Sequence, residues 1–182
     1  MATPFLLAIA GLCDTPRLVC LVNSAHRGDA SHRGWTTEAH LLDGQRIDEA
    51  GVREVLAVPE AAMLLRLGPH EELRSSFHTQ PTGSKIHLGV LAVSPDYQIC
   101  GVGKFLIQAA ENHGRQHGCT VSQMTALSVR AELIAFYERL SYRQIGDTEP
   151  FPTDPRYGIP TQPLTLRVLD TLRVLERSLG SF

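Results

Sequence analysis

The sequence predicts a mixed α/β fold, and three observations carry that prediction. Apolar runs of strand length alternate with amphipathic segments of helix length. A strongly apolar run ends at a glycine-bearing turn that opens a helix. A chain of 182 residues, 43% of them hydrophobic, can bury a full core. Length favours one domain spanning 1–182 over two.

The elements follow in order. Phe5 to Ala10 reads as an apolar strand. A helix starts near Asp14, with Pro16 in its first turn, and presents Leu18, Leu21 and Val22 on one face up to about Ala25. His26 to Thr37 is polar, contains two glycines and has no sustained period, so it reads as a long loop, a class that is commonly functional. A helix is expected over Asp48 to Ala57 and a strand over Ala62 to Leu67. A hairpin follows: Leu73 to His78, a turn through Pro81-Thr82-Gly83, and the apolar strand Ile86 to Val93. Beyond Pro95, Lys104 to His117 places Phe105, Leu106, Ala109 and Ala110 on one helical face, with Gly118 closing it. The alternation then repeats as strand Thr120 to Leu127, helix Ala131 to Leu140 and short strand Tyr142 to Ile145. Glu149 to Pro163 carries five prolines but also Phe151 and Tyr157, which predicts an ordered loop or flap. A last strand falls within Leu164 to Leu175, where Thr165–Leu169 is echoed by Thr171–Leu175; two short copies do not make a repeat architecture.

Composition excludes several classes. A formal net charge of −2 gives no field to draw the molecule onto nucleic acid or an anionic membrane. The apolar stretch Pro4 to Cys13 is too short to span a bilayer and lacks a basic flank, so a soluble, cytoplasmic protein is expected. Cys13, Cys20, Cys100 and Cys119 form no C-x-x-C pair and no metal-ligand spacing with the eight histidines, which favours free thiols and no metal.

The chemistry concentrates at Gln98-Ile99-Cys100-Gly101-Val102-Gly103, between the apolar strand and the next helix. Unpaired N–H groups and the positive end of the helix dipole converge at such a point and favour phosphate. Gly101 and Gly103 let backbone approach a diphosphate closely, with Gln98 and Lys104 as polar neighbours. A dinucleotide-binding reading fails because Leu106 stands where its third glycine belongs.

Leu88-Gly-Val-Leu-Ala-Val-Ser-Pro95 followed by Gln98-x-x-Gly101-x-Gly103 resembles the acetyl-CoA motif of the GCN5-related N-acetyltransferases (GNAT), matching their Q/R-x-x-G-x-G/A pattern in full. Arg130 to Tyr142, with its Phe136-Tyr137 pair, is similar to that family's next helix, so the resemblance covers Ile86 to Gly146. It implies a mostly antiparallel sheet flanked by helices, splayed between two strands at the acetyl-CoA site. It further implies that the backbone of Leu91, Ala92 and Val93 holds the pantetheine arm, that the amides from Ile99 through Cys100, Gly101, Val102 and Gly103 to Lys104 hold the diphosphate, and that Tyr137 protonates the departing thiolate. Tyr137 also belongs to an apolar stripe with Leu133 and Leu140, so a core role stands beside the catalytic one. Ser128 stands where the family often has a cofactor-contacting asparagine, and Ser141 where glycine usually closes the helix.

A proton acceptor for the amine is also needed. His87 matches the strand position of the glutamate base in histone-acetylating members; a partly exposed histidine beside a hairpin, with a water chain as base, is the alternative. Cys100 suggests a covalent route, but no histidine and carboxylate partner it in sequence. The acceptor pocket implied by the resemblance lies between His26 to Leu42 and Phe151 to Tyr157, where Trp35 and Glu38 are candidate substrate contacts. The leading expectation is a small-molecule amine N-acetyltransferase using acetyl-CoA, as monomer or homodimer. A protein or peptide acetyltransferase and a non-catalytic acyl-CoA-binding module are the alternatives.

Overall fold

The computed structural model describes residues 6–171. The strands are β1 (Leu6–Ile9), β2 (Leu42–Asp43), β3 (Ala62–Leu67), β4 (Leu73–Thr82), β5 (Lys85–Val93), β6 (Val121–Leu127), β7 (Tyr142–Gln144), β8 (Glu149–Pro150), β9 (Ile159–Pro160) and β10 (Thr165–Thr171). The helices are α1 (Thr15–His26), α2 (Gly28–Ser31), α3 (Glu49–Ala57), α4 (Val102–Gln116) and α5 (Ala131–Arg139). The main sheet runs β1-β3-β4-β5-β6-β10-β7, with β8 also on β10 and β2 paired separately to β9. Every pairing in it is antiparallel except β5 with β6.

The predicted elements form where periodicity placed them, with two differences. The loop after His26 contains the four-residue α2. The hairpin turn sits at Gly83-Ser84, because Pro81 and Thr82 still pair with Ile86 and Lys85. Proline is tolerated there because β3 stops pairing β4 at Thr79, so Pro81 lies on a free edge. Thr171 ends β10, and the rest of the second echo lies outside the described residues.

Two layers of helix cover the sheet. On one side α4 and α5 bury Leu106, Ile107, Ala110, Ile134 and Tyr137 against Ile86, Leu88, Val93 and Met124. Each fully buried leucine or isoleucine there contributes roughly 1.5–3 kcal/mol. The contact is close: a Cβ at Gly114 of α4 would meet Ile86 Cγ2 at 2.7 Å. A buried polar cluster crosses this core, Tyr142 donating to Glu111 at 3.0 Å with Ser122 Oγ 2.8 Å from the same hydroxyl. On the other side α1 and α3 pack Leu18, Leu21, Val22 and Val52 against Met63, Leu65 and Ala92. The Asp48 carboxylate caps α3 by accepting the Gly51 N–H at 2.7 Å.

One irregularity in β5 positions everything that follows. The register with β4 shifts between Ser76/Ala92 and His78/Gly89, and Val90 adopts φ 48 at that bulge. Leu88 and Leu91, three residues apart, therefore both face the α4 side, where strict alternation would separate them. The parallel pairing of β5 with β6 ends at Leu88–Met124, and beyond it the two strands part.

Candidate active site

The gap between β5 and β6 opens into a cavity of about 540 Å³ on one side and one of about 300 Å³ on the other. The larger is floored by the glycine loop and walled by α5 and the loop around Trp35. At its floor, Ile99 has φ 70 and Gly101 φ 75, so the chain makes two left-handed steps before α4. The first helical bond runs from the Phe105 N–H to the Gly101 carbonyl at 3.1 Å, so the amides of Val102, Gly103 and Lys104 have no helical acceptor. They stand at the positive end of a fifteen-residue helix beside the Lys104 ammonium, a fit for a diphosphate.

Along the open edge of β5, two side chains occupy carbonyls. His26 Nε2 lies 2.9 Å from Leu91 O, and Gln98 Nε2 donates to Val93 O at 2.9 Å. Backbone N–H and C=O of one residue point to the same strand edge, so the Leu91 and Val93 N–H groups face the gap as the available donors. These donors are a fit for the carbonyl oxygens of a pantetheine arm.

The expected contacts sort by this geometry. Trp35, Glu38, Leu91, Val93, Gln98, Ile99, Gly101, Val102, Gly103, Lys104 and Tyr137 all line the larger cavity. Ala92 does not; its side chain is buried against α1, leaving only its backbone on the strand. The Gln98 amide serves the protein rather than a ligand: Oε1 accepts the Trp35 N–H at 2.9 Å while Nε2 also donates to Thr36 Oγ1 at 2.9 Å. Ser128 is tied to β10, its hydroxyl accepting from Thr165 Oγ1 at 2.8 Å, and lines neither cavity. Cys100 is exposed on the loop and lines neither. His87 sits within the closed part of β5, opposite Gln80 and Gln123, and also lines neither. The strands separate only after Leu88, so the gap begins beyond its reach along the sheet.

The wall shared by the two cavities consists of His26, Glu38, Leu91, Leu133 and Tyr137. The Tyr137 ring is 7% exposed, and its hydroxyl makes no hydrogen bond among the described residues. Burial, reinforced by the Glu38 carboxylate, pushes its phenol far above the ordinary value of 10, so it remains protonated. Burial raises the Glu38 carboxyl, but the Arg46 and Arg27 guanidiniums beside it outweigh that and hold the group below the ordinary 4.5. Glu38 is paired with Arg27, itself buried, and lies 4.0 Å from Arg46 Nε. Burial lowers His26 below 6.5 despite Glu38, favouring the neutral ring whose Nε2–H donates to Leu91 O; Nδ1 is 3.3 Å from Thr36 O.

His26 is the site residue that sequence reasoning passed over. It ended the helical apolar stripe and opened a polar loop, and nothing local marks it as facing Leu91, 65 residues away. The smaller cavity brings His26, Glu38 and Leu42 together with Phe151 and Tyr157, the two segments expected to enclose an acceptor. Among the described residues, no group of three or more His, Cys, Asp or Glu side chains is placed to hold a metal ion, and no helix is long and apolar enough to cross a membrane.

This splayed sheet, with a bulge at the gap and a glycine loop on a helix N-terminus, has the GNAT-type fold. The family model described as "Acetyltransferase (GNAT) family" matches residues 64–142, from β3 to the start of β7. Solved structures extend the likeness in fold to nearly the whole chain. The ribosomal-protein-S18-alanine N-acetyltransferase from Escherichia coli superposes with a TM-score of 0.70 at 16% identity, covering 98% of this chain and 100% of its own. The protein yncA from Salmonella typhimurium, solved with its cofactor acetyl-CoA, gives 0.64 at 14% identity, covering 99% of each. Nourseothricin acetyltransferase gives 0.64 at 16%, covering 93% of this chain and 98% of its own. No curated protein matches the chain by sequence.

Proposed function

We propose that this protein is an acetyl-CoA-dependent N-acetyltransferase acting on a primary amine of a small molecule, by direct transfer within a ternary complex. The observation that carries this reading is the meeting of two cavities through the β5/β6 gap at Leu91 and Tyr137. One cavity has the diphosphate-binding amides and the other a separate entrance, so donor and acceptor can be held at once from opposite sides. The exposure of Cys100 away from both argues against a covalent relay.

When bound, acetyl-CoA supplies the thioester carbonyl that the amine attacks. Glu38, held ionised, attracts the incoming ammonium into the shared wall. The ammonium must lose one proton before its nitrogen can attack and a second as the N–C bond forms and the C–S bond breaks. Both His26 ring nitrogens face backbone carbonyls, Nε2 that of Leu91 and Nδ1 that of Thr36, so the ring shapes the wall while a water chain carries the protons to solvent. Tyr137, protonated and uncommitted, delivers a proton to the departing thiolate and regains one from solvent. His87 stays outside this scheme.

The modest volume of the smaller cavity, about 300 Å³, supports a small molecule over a polypeptide. The named relatives do not choose between these classes, since one is named for a ribosomal-protein alanine and another for nourseothricin.

The test is calorimetric titration with acetyl-CoA, followed by thiol release across a panel of primary amines. Micromolar binding that Gly101→Glu abolishes, with turnover on at least one amine, is expected. A folded protein that fails to bind acetyl-CoA would overturn the reading. Binding without turnover on any amine would leave the non-catalytic acyl-CoA module in its place.

A further inference from the structure

The smaller cavity carries an electrostatic imbalance that an amine alone does not answer. Its charged lining groups are Arg27, Arg46 and Glu38, two cations against one carboxylate, with His26 held neutral beside them. Arg27 is 4% exposed; its terminal nitrogens reach Glu38 and, at 3.3 Å, Tyr157 O, while its buried Nε–H has no partner among the described residues. Arg46 approaches Glu38 only at 4.0 Å through Nε, so its two terminal nitrogens carry no acceptor among the described residues. The rest of the wall is apolar, including Leu42, Phe77, Phe151 and Leu166.

We infer that the acceptor is a small amino carboxylate with an apolar side chain, its carboxylate taken by the two terminal nitrogens of Arg46. This rests on the N-acetyltransferase reading above and narrows it. The amine of such a molecule lies one carbon from its carboxylate. Glu38 and Arg46, 4.0 Å apart, are spaced to receive the two groups together. A planar guanidinium with two free terminal nitrogens matches a carboxylate in bidentate fashion. The apolar walls then receive the side chain, and a cavity of about 300 Å³ limits it to one amino acid's dimensions.

The experiment uses product analogues, so that it reads binding independently of turnover. CoA-saturated protein is titrated with N-acetyl-L-leucine, N-acetyl-L-methionine and N-acetyl-L-phenylalanine, and each is compared with the matching acetamide that lacks the carboxylate. At least one acid is expected to bind about 10- to 100-fold more tightly than its uncharged counterpart, the range of a hydrogen-bonded charge. Arg46→Gln should erase that difference and Arg46→Lys should keep part of it; Arg46 is 30% exposed, and circular dichroism checks that both variants fold. Equal binding of acid and acetamide, an unchanged preference in Arg46→Gln, or no binding by any acid each overturns the inference. Turnover of an uncarboxylated amine in the presence of those results would leave the acetyltransferase reading standing, so the two failures are distinguishable.

Discussion

Gln98 Oε1 accepts the Trp35 N–H at 2.9 Å, joining residues 63 apart in the chain and fixing the wall of the larger cavity to its floor. The same amide holds Val93 O and Thr36 Oγ1, while Arg130 reaches in from α5 to the carbonyls of Trp35, at 2.9 Å, and Thr37, at 3.0 Å. The polar loop after α1 is thus held from both sides, and the Trp35 ring meets Phe136 edge to face at 5.8 Å. Gln98→Leu removes three hydrogen bonds and leaves the buried Val93 carbonyl unpaired. A loss of roughly 2–4 kcal/mol in stability is expected from urea denaturation, at about 1 kcal/mol per bond. Acetyl-CoA affinity should fall with it, read from fluorescence of Trp35, the single tryptophan. Unchanged affinity would mean that the loop holds without Gln98.

Tyr137→Phe keeps the ring and its contacts with Phe136 and Tyr142 while removing the proton donor. Turnover should fall by about 10²- to 10⁴-fold with acetyl-CoA affinity unchanged. Equal turnover in steady-state assays would return Tyr137 to a purely structural role.

Stability should depend on pH in a defined window. His26, His78 and His113 all have folded-state pKa values lowered from 6.5, mainly by burial. As pH falls below about 6.5 the unfolded chain takes up these protons first, so stability is flat above that value and declines below it. Urea midpoints measured from about pH 8 down to pH 5 should fall, and His26→Gln should flatten part of the decline. A midpoint that rises on acidification would contradict the buried, neutral state of these rings.

Ser141 follows α5 at φ 71, a left-handed conformation that its Cβ disfavours. Ser141→Gly should stabilise the protein by about 1 kcal/mol, seen as a raised thermal midpoint, without altering acetyl-CoA binding. A lowered midpoint would show that the serine has a stabilising contact outweighing the strain.

Much of the fold was legible because its signals are local. Period 3.6 marked α1, α3, α4 and α5, period 2 and apolar runs marked the strands, and the left-handed Gly118 closed α4 as its position predicted. The glycine loop was legible for the same reason, since Gly101, Gly103 and the helix start that exposes their amides are contiguous. Ser141 shows the limit of such reading: its departure from glycine was visible, and the backbone strain it carries was not.

The sequence by itself determined the alternation of elements, the glycine turn at a helix start and the motif block that the family model matches, all written in stretches of a few to some fifteen residues. Only the tertiary structure decided which long-range partners share a wall. The bulge at Val90 brings Leu88 and Leu91 to one face, and the end of β5/β6 pairing opens the gap there, leaving His87 in the closed sheet and bringing His26 to Leu91. It also turned the Gln98 amide inward and set Arg27, Arg46 and Glu38 together beneath Phe151 and Tyr157. The physical reason is that periodicity fixes the face a side chain occupies, whereas register shifts, strand separation and buried charge pairing depend on contacts between segments with no neighbourhood in sequence.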